Sequence, residues 1–377
     1  VPIPKGSSPV IRGQSDLRPI GLIEVSRKLL TRLVLGRILR VIQKHGVLQN
    51  THCGGLPNKG TDTALLSLLN ILEDAAEYDR DARTESDIDF RLYFTTWDSE
   101  KAFDSVGFHM QYLAWRRIGV PQDVAKWLIA LDAEGVFVVH SPWAKSALGK
   151  LHLLKLGDKS HHRAIRELGF APERGFTQGD VKSPLAWTCY FDILLTALNR
   201  CSPEKYPKAR VERSVVQPVF PFAFVDDLSS VTCDREHTQE LANIVSAAHA
   251  IFGTRAAVGK FRATTNNPVR GHITLHDKQW QPTVVPFEGP EANIKLLGME
   301  FNLKYRWDQQ AGKAVQRIRR IKKHIAKKKA APLTKAAVLT QATLISEAYA
   351  PTMAAWPKSA LQKVTGCLSS ILCDALH

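Results

Sequence analysis

The sequence predicts a mixed α/β chain of the α+β kind, on three observations. Short runs rich in aromatic and β-branched residues recur at 90–97, 219–225, 228–231 and 294–300, and such runs suit strands. Stretches at 26–44, 61–72, 183–198 and 238–252 carry apolar residues three and four apart, the spacing of a helix with one buried side. Beyond Trp307 the pattern becomes helical throughout and strongly basic.

Length and composition bound the rest. A chain of 377 residues, 44% hydrophobic and 23% charged, can bury a substantial core in two or three subdomains. Its apolar runs fall short of the ~18–20 residues that span a bilayer, and its start lacks a charged-then-apolar leader. Because it begins with Val1 and not Met, it is expected to be an internal piece of a longer polyprotein. Fifty-one Lys and Arg against 36 acids leave a net charge of +15, which favours nucleic acid over an anionic membrane as partner. Six cysteines lie scattered without a Cys-x-x-Cys pair, so neither a zinc knuckle nor a disulfide framework follows, and a reducing, intracellular setting is expected.

In chain order, Pro2 to Lys5 and Arg18-Pro19-Ile20 read as extended segments, since each X-Pro step biases its predecessor away from helix. A helix from Ser26 sets Leu29, Leu30, Leu33, Val34, Ile38, Val41 and Ile42 inward, with Arg27, Lys28, Arg32, Arg37, Arg40 and Lys44 mostly on its wet face. A second begins near Thr61 and buries Leu65, Leu66, Leu68, Leu69 and Leu72, after which the acidic stretch 73–89 reads as a loop. A strand over 90–97 delivers Asp98, and helices at 110–118 and 123–131 and a short strand at 136–139 follow. Residues 144–172 read as an insertion. The loop Arg174 to Asp180 opens a helix whose Pro184 suits a first turn. Ile294 to Glu300 reads as one arm of a late hairpin. Residues 313–329 hold nine Lys and Arg and no acid, with Val315, Ile318, Ile321 and Ile325 at helical spacing, so phosphate contact is favoured over plain solvation.

Phe222 to Val225 and Leu228 to Val231 flank Asp226-Asp227, which reads as a hairpin with an acid pair at its turn. Neighbouring carboxylates repel. A divalent cation relieves that repulsion, as does exposure in a solvated turn, and the pair by itself does not choose.

The blocks in order are more specific. Asp98-x-x-x-Ala102-Phe103-Asp104, Arg174-Gly175-x-x-Gln178-Gly179-Asp180-x-x-Ser183-Pro184-Leu185 and Phe224-x-Asp226-Asp227 resemble the palm of the reverse transcriptases. The resemblance extends to Arg18-Pro19-Ile20, Lys260 and Leu297-Gly298 and so covers nearly the whole chain. Gln178-Gly179-Asp180 together with Lys101-Ala102-Phe103-Asp104 looks most like the non-long-terminal-repeat (LINE-like) retrotransposon enzymes. Val181-Lys182 depart from the usual Pro-Leu, Phe224 from the commoner Tyr, and Gly259 from an Asn.

The resemblance implies a right-hand polymerase: fingers over 1–89, a palm of antiparallel sheet and helices over 90–304 with finger elements inserted at about 120–172, and a basic helical thumb over 305–377. It implies RNA-templated DNA synthesis, with RNA template, DNA primer or RNA–DNA hybrid and deoxynucleoside triphosphates as partners. Two Mg²⁺ ions, or Mn²⁺ in their place, are expected on Asp98, Asp226 and Asp227, roughly 3.5–4 Å apart, to activate the primer hydroxyl and neutralise the leaving pyrophosphate. Phe103 is expected beneath the sugar, where a 2′-hydroxyl would collide with its ring. Gln178 and Gly179 are expected along the incoming nucleotide, and Arg18 and Lys5 at its triphosphate. Lys260 is expected near the pyrophosphate, and Asp104 as a cap or hydrogen-bond partner. Leu297, Gly298, Arg317, Arg320, Lys322, Lys323 and Lys327 are expected against the template–primer duplex, touching phosphates without reading bases. Nuclear action is implied by the family alone. A non-enzymatic nucleic-acid-binding scaffold from a decayed retroelement is the alternative. Intact carboxylates argue against it.

Overall fold

Tyr93-Phe94-Thr95-Thr96-Trp97 is aromatic and β-branched throughout, and it becomes β3 (Tyr93–Trp97), an inner strand of the main sheet. In this computed structural model, residues 2–4, 17–81, 91–135, 172–212, 215–277, 279–326 and 358–376 are described, with Thr334 and Ala337. The sheet has the order β6–β7–β3–β8, from β6 (Phe222–Phe224), β7 (Asp227–Thr232) and β8 (Arg262–Thr265). Every neighbour in it is antiparallel.

Successive residues of a strand face opposite sides, and here each side has its own core. Tyr93 and Trp97 join one cluster with Trp187, Leu195 and Val245. Phe94 joins another with Leu65, Leu72 and Phe301. The first core is covered by α6 (Ser183–Arg200) and α7 (Arg235–Phe252). Helix α6 is buried on nearly all sides, as a helix between two layers must be. Asp234 caps α7 by accepting from the His237 amide at 2.5 Å, and Gly253 ends it at φ +68°. The second core is covered by α2 (Thr61–Asp81) and by the hairpin β11 (Ile294–Leu296) and β12 (Met299–Phe301).

Several expectations are corrected. Helix α2 continues through Asp81, because Ile71, Leu72 and Ala75 stay buried and extend the apolar side into the acidic stretch. Leu66 is 48% exposed. The region 294–301 holds both arms of its hairpin, with Leu297 and Gly298 as the two-residue turn. Helix α1 (Val25–His45) presents a different side inward: Thr31, Leu35 and Ile42 are buried, whereas Leu29, Leu33 and Val41 are exposed. The buried carboxylates of Asp132 and Asp180 draw Arg27 to the inner side and set that rotation.

Strands β1 (Pro2–Pro4) and β2 (Leu17–Pro19) pair antiparallel, with Ile3 opposite Arg18. Helices α3 (Ala102–Ser105), α4 (Phe108–Arg117) and α5 (Gln122–Ala133) follow β3. Strands β4 (Lys208–Glu212) and β5 (Val215–Pro218) form one ribbon, β9 (His272–His276) and β10 (Pro282–Pro286) another. Past Trp307, α8 (Asp308–Ala326) buries Ala311, Ala314 and Ile318, and Ile318 packs with Val364 and Leu368 of α9 (Lys358–Leu376). The expected strand at 136–139, residues 144–171 of the insertion, Lys5 and Lys327 lie outside the described residues. Among the described residues, no helix is long and apolar enough to cross a membrane.

Candidate active site

The antiparallel register brings the acids together. Trp97 faces Leu228 across β3 and β7, so one residue further on Asp98 falls beside Asp227. Strands β6 and β7 are joined by a two-residue turn, Val225-Asp226, between the paired Phe224 and Asp227. The turn thus sits one residue earlier than the acid pair predicts, because Asp227 already belongs to β7. Asp98, Asp226 and Asp227 line one open groove of about 1150 Å³, together with Phe103, Gln178, Gly179 and Lys260. Lys28 and Arg32 of α1 line it too.

The turn is strained. Val225 has φ +61°, a left-handed conformation in which a β-branched residue is an outlier and which costs on the order of 1–3 kcal/mol. Its surroundings hold it there. A Cβ on Gly54 would lie 2.4 Å from the Val225 amide nitrogen, so only glycine permits that approach. The 51–54 loop is itself pinned to β6, the Cys53 amide donating to the Ala223 carbonyl at 2.7 Å. From the other side the Trp187 indole N–H donates to the Val225 carbonyl at 2.7 Å.

Charge accumulates at the turn. The Asp227 side chain is pushed up to about 6, first by burial of its carboxyl, then by Asp226 and Asp98, with Lys260 opposing. The residue as a whole stands exposed, so solvent tempers the burial contribution and the facing carboxylates of Asp226 and Asp98 are the firmer cause. Lys260 Nζ lies 2.9 Å from Asp98 Oδ2. That hydrogen bond holds the ammonium above its ordinary value, against partial desolvation. Three convergent carboxylates, one already matched to an ammonium, are a donor set that suits hard divalent cations.

Beneath the groove, Phe103 is half-buried and stacks on Trp187 with ring centroids 4.7 Å apart and planes 17° off parallel. Gln178 Nε2 donates to Asp104 Oδ1 at 3.1 Å, which makes Asp104 a hydrogen-bond partner. Gly179 has φ +100°, and a Cβ there would meet the Gly21 carbonyl oxygen at 2.6 Å. Leu297 is half-buried against the second core, and Gly298 is exposed. Arg317, Arg320 and Lys323 are exposed on α8. Arg18 lies in β2 and Lys322 in α8.

A buried charge network lies behind the Gln178-Gly179 loop. Lys182 Nζ is 2.5 Å from Asp132 Oδ2, and both side chains are 1% exposed. Arg27 binds Asp132 Oδ1 at 2.7 Å, the Asp180 carboxylate and the Leu131 carbonyl. Thr177 Oγ1 donates to Asp132 at 3.0 Å. These contacts fasten α1 and α5 to the loop. Apolar spacing predicts a wet face for Arg27 and gives no signal for Asp132 or Trp187; the departure at Lys182 is the one mark of the network in the sequence. Elsewhere, Cys201, His237 and Glu240 bring three possible metal-ligand atoms within 4.8 Å of one another. There the carboxylate already accepts from Lys205 at 3.2 Å and Ser202 at 3.3 Å.

Residues 3–301 match the family model described as reverse transcriptase (RNA-dependent DNA polymerase). The chain belongs to the reverse transcriptase family. No curated protein matches it. Among solved structures, this reverse transcriptase chain is similar to telomerase from Candida albicans in complex with a TWJ fragment of telomeric RNA, at 11% identity and a TM-score of 0.45, over 93% of this chain and 55% of that one. It is also similar to the Candida tropicalis telomerase in such a complex, at 9% identity and a TM-score of 0.44, over 93% and 51%. It thus spans about half the length of those telomerase chains.

Proposed function

We propose that the chain is an RNA-directed DNA polymerase that adds deoxynucleotides to a primer 3′ end, with Asp98, Asp226 and Asp227 holding a pair of divalent cations. The observation that carries this reading is the convergence of those three carboxylates, from two paired strands, on the groove that also takes Phe103 and Gln178. When bound, the ions supply polarisation of the attacking hydroxyl and charge neutralisation on the leaving pyrophosphate.

The chain's own residues do the rest. Phe103, braced on Trp187, closes the floor of the groove against a 2′-hydroxyl. Gln178, held by Asp104, and the Gly179 backbone border the nucleotide. Lys28 and Arg32 line the groove with positive charge for the triphosphate, and we assign Arg18 and Lys5 to the triphosphate as well, on the sequence resemblance. Lys260 stays protonated beside Asp98 and screens developing negative charge. The basic side of α8 carries the hybrid by phosphate contacts. We read 1–89 as fingers, 90–304 as palm and 305–377 as thumb. Gln178-Gly179-Asp180 with Lys101-Ala102-Phe103-Asp104 supports an origin in a non-long-terminal-repeat retrotransposon.

The test is primer extension on poly(rA)/oligo(dT) by the parent and by Asp226→Asn. The parent is expected to extend the primer, and the variant to lose extension while retaining hybrid binding. Equal extension by the two removes the role given to the carboxylates.

A further inference from the structure

We propose that Trp187 is a positioning residue that couples the acid turn to the sugar-facing ring; this rests on the polymerase reading above. Two independent contacts meet on one buried indole. Its N–H donates to the Val225 carbonyl at 2.7 Å, one residue before Asp226. Its ring stacks on Phe103 with centroids 4.7 Å apart.

The first contact acts on a turn that does not hold its shape unaided. Val225 sits at φ +61°, where glycine is the usual occupant of a hairpin turn. A strained residue keeps such a conformation only where its surroundings fix it, and the indole N–H supplies one of those constraints. Release of the Val225 carbonyl frees the peptide that orients Asp226. The second contact acts on the floor. Phe176 meets the same indole edge-on at 5.9 Å, so the Phe103 ring cannot sink away from a 2′-hydroxyl while the indole is present. Trp187 is 2% exposed and does not itself line the groove, which separates positioning from catalysis.

The two contacts come apart in two variants. Trp187→Phe keeps an aromatic ring under Phe103 and deletes the N–H. Trp187→Leu deletes both. Mn²⁺ affinity, read by the paramagnetic resonance of the free ion, is expected to weaken about fivefold in Trp187→Phe, the scale of one hydrogen bond, with deoxy-over-ribonucleotide preference retained. Trp187→Leu is expected to lose both. In a Val225→Gly background the turn is relaxed, and Trp187→Phe is expected to cost Mn²⁺ affinity little; a merely structural role predicts the same loss in either background. Mn²⁺ affinity equal to the parent in Trp187→Phe overturns the proposal, as does an undiminished loss in the glycine background. A parent that binds Mn²⁺ yet extends no primer ends the polymerase reading, while the tie to the turn is still decided by the Mn²⁺ comparison. A parent that binds no Mn²⁺ overturns both.

Discussion

Lys182 and Asp132 form an ion pair 2.5 Å apart with both side chains sealed from water. Lys182 stands where the sequence resemblance leads to the expectation of an apolar residue, and its pairing with Asp132 does more than fill space. It joins the loop before α6 to the end of α5, and Arg27 extends the tie to α1.

Breaking that pair is expected to be costly. Asp132→Asn leaves the Lys182 ammonium buried without its counter-charge, at a cost of about 3–5 kcal/mol. Urea unfolding of parent and variant measures it. A loss below about 1 kcal/mol would show that water reaches Lys182 in solution.

Phe103→Ala is expected to raise the use of ribonucleotides about 10–100-fold relative to matched deoxynucleotides, the range that pocket shape commands. The readout is the ratio of the two kcat/KM values. Unchanged discrimination would assign Phe103 to the core alone.

Neutralising Arg319, Arg320 and Lys323, which are exposed on α8, is expected to flatten the salt dependence of hybrid binding. The slope of log K against log salt should fall by about 0.9 for each phosphate no longer neutralised on a B-form duplex, and by a comparable amount on a hybrid. An unaltered slope would mean that α8 faces away from the duplex.

His52 supplies a pH signature of stability. Burial, with a smaller push from Lys59, lowers its imidazole to about 4 from an ordinary 6.5, against the Gly54 backbone. Below the ordinary value the unfolded chain takes up a proton that the folded chain refuses, so stability falls as pH drops through that window. About 2 kcal/mol is expected to be lost between about pH 7 and pH 5. His52→Leu is expected to lose correspondingly less over the same interval, as read from urea midpoints. Parallel profiles for the two proteins would assign the acid sensitivity to other groups.

Local chemistry made much of this chain legible. The aromatic and β-branched run ending at Trp97, the Pro184 start of α6 and the paired Asp226-Asp227 between two apolar runs each encode a strand end, a helix start or a turn within a few residues. Such signals need no distant partner. They also placed Asp98, Phe103 and Gln178 on the elements that now border one groove.

Tertiary packing decided what local pattern could not. Arg27 turns inward because two buried carboxylates, more than a hundred residues away in sequence, require a cation. Helix α1 rotates accordingly and leaves Leu29 and Leu33 exposed, against its apolar spacing. The strained φ of Val225 likewise depends on Gly54 and Trp187, which meet it only in the folded chain. Periodicity reports which residues prefer water; the cost of burying an unpaired charge depends on which partners the fold brings within reach.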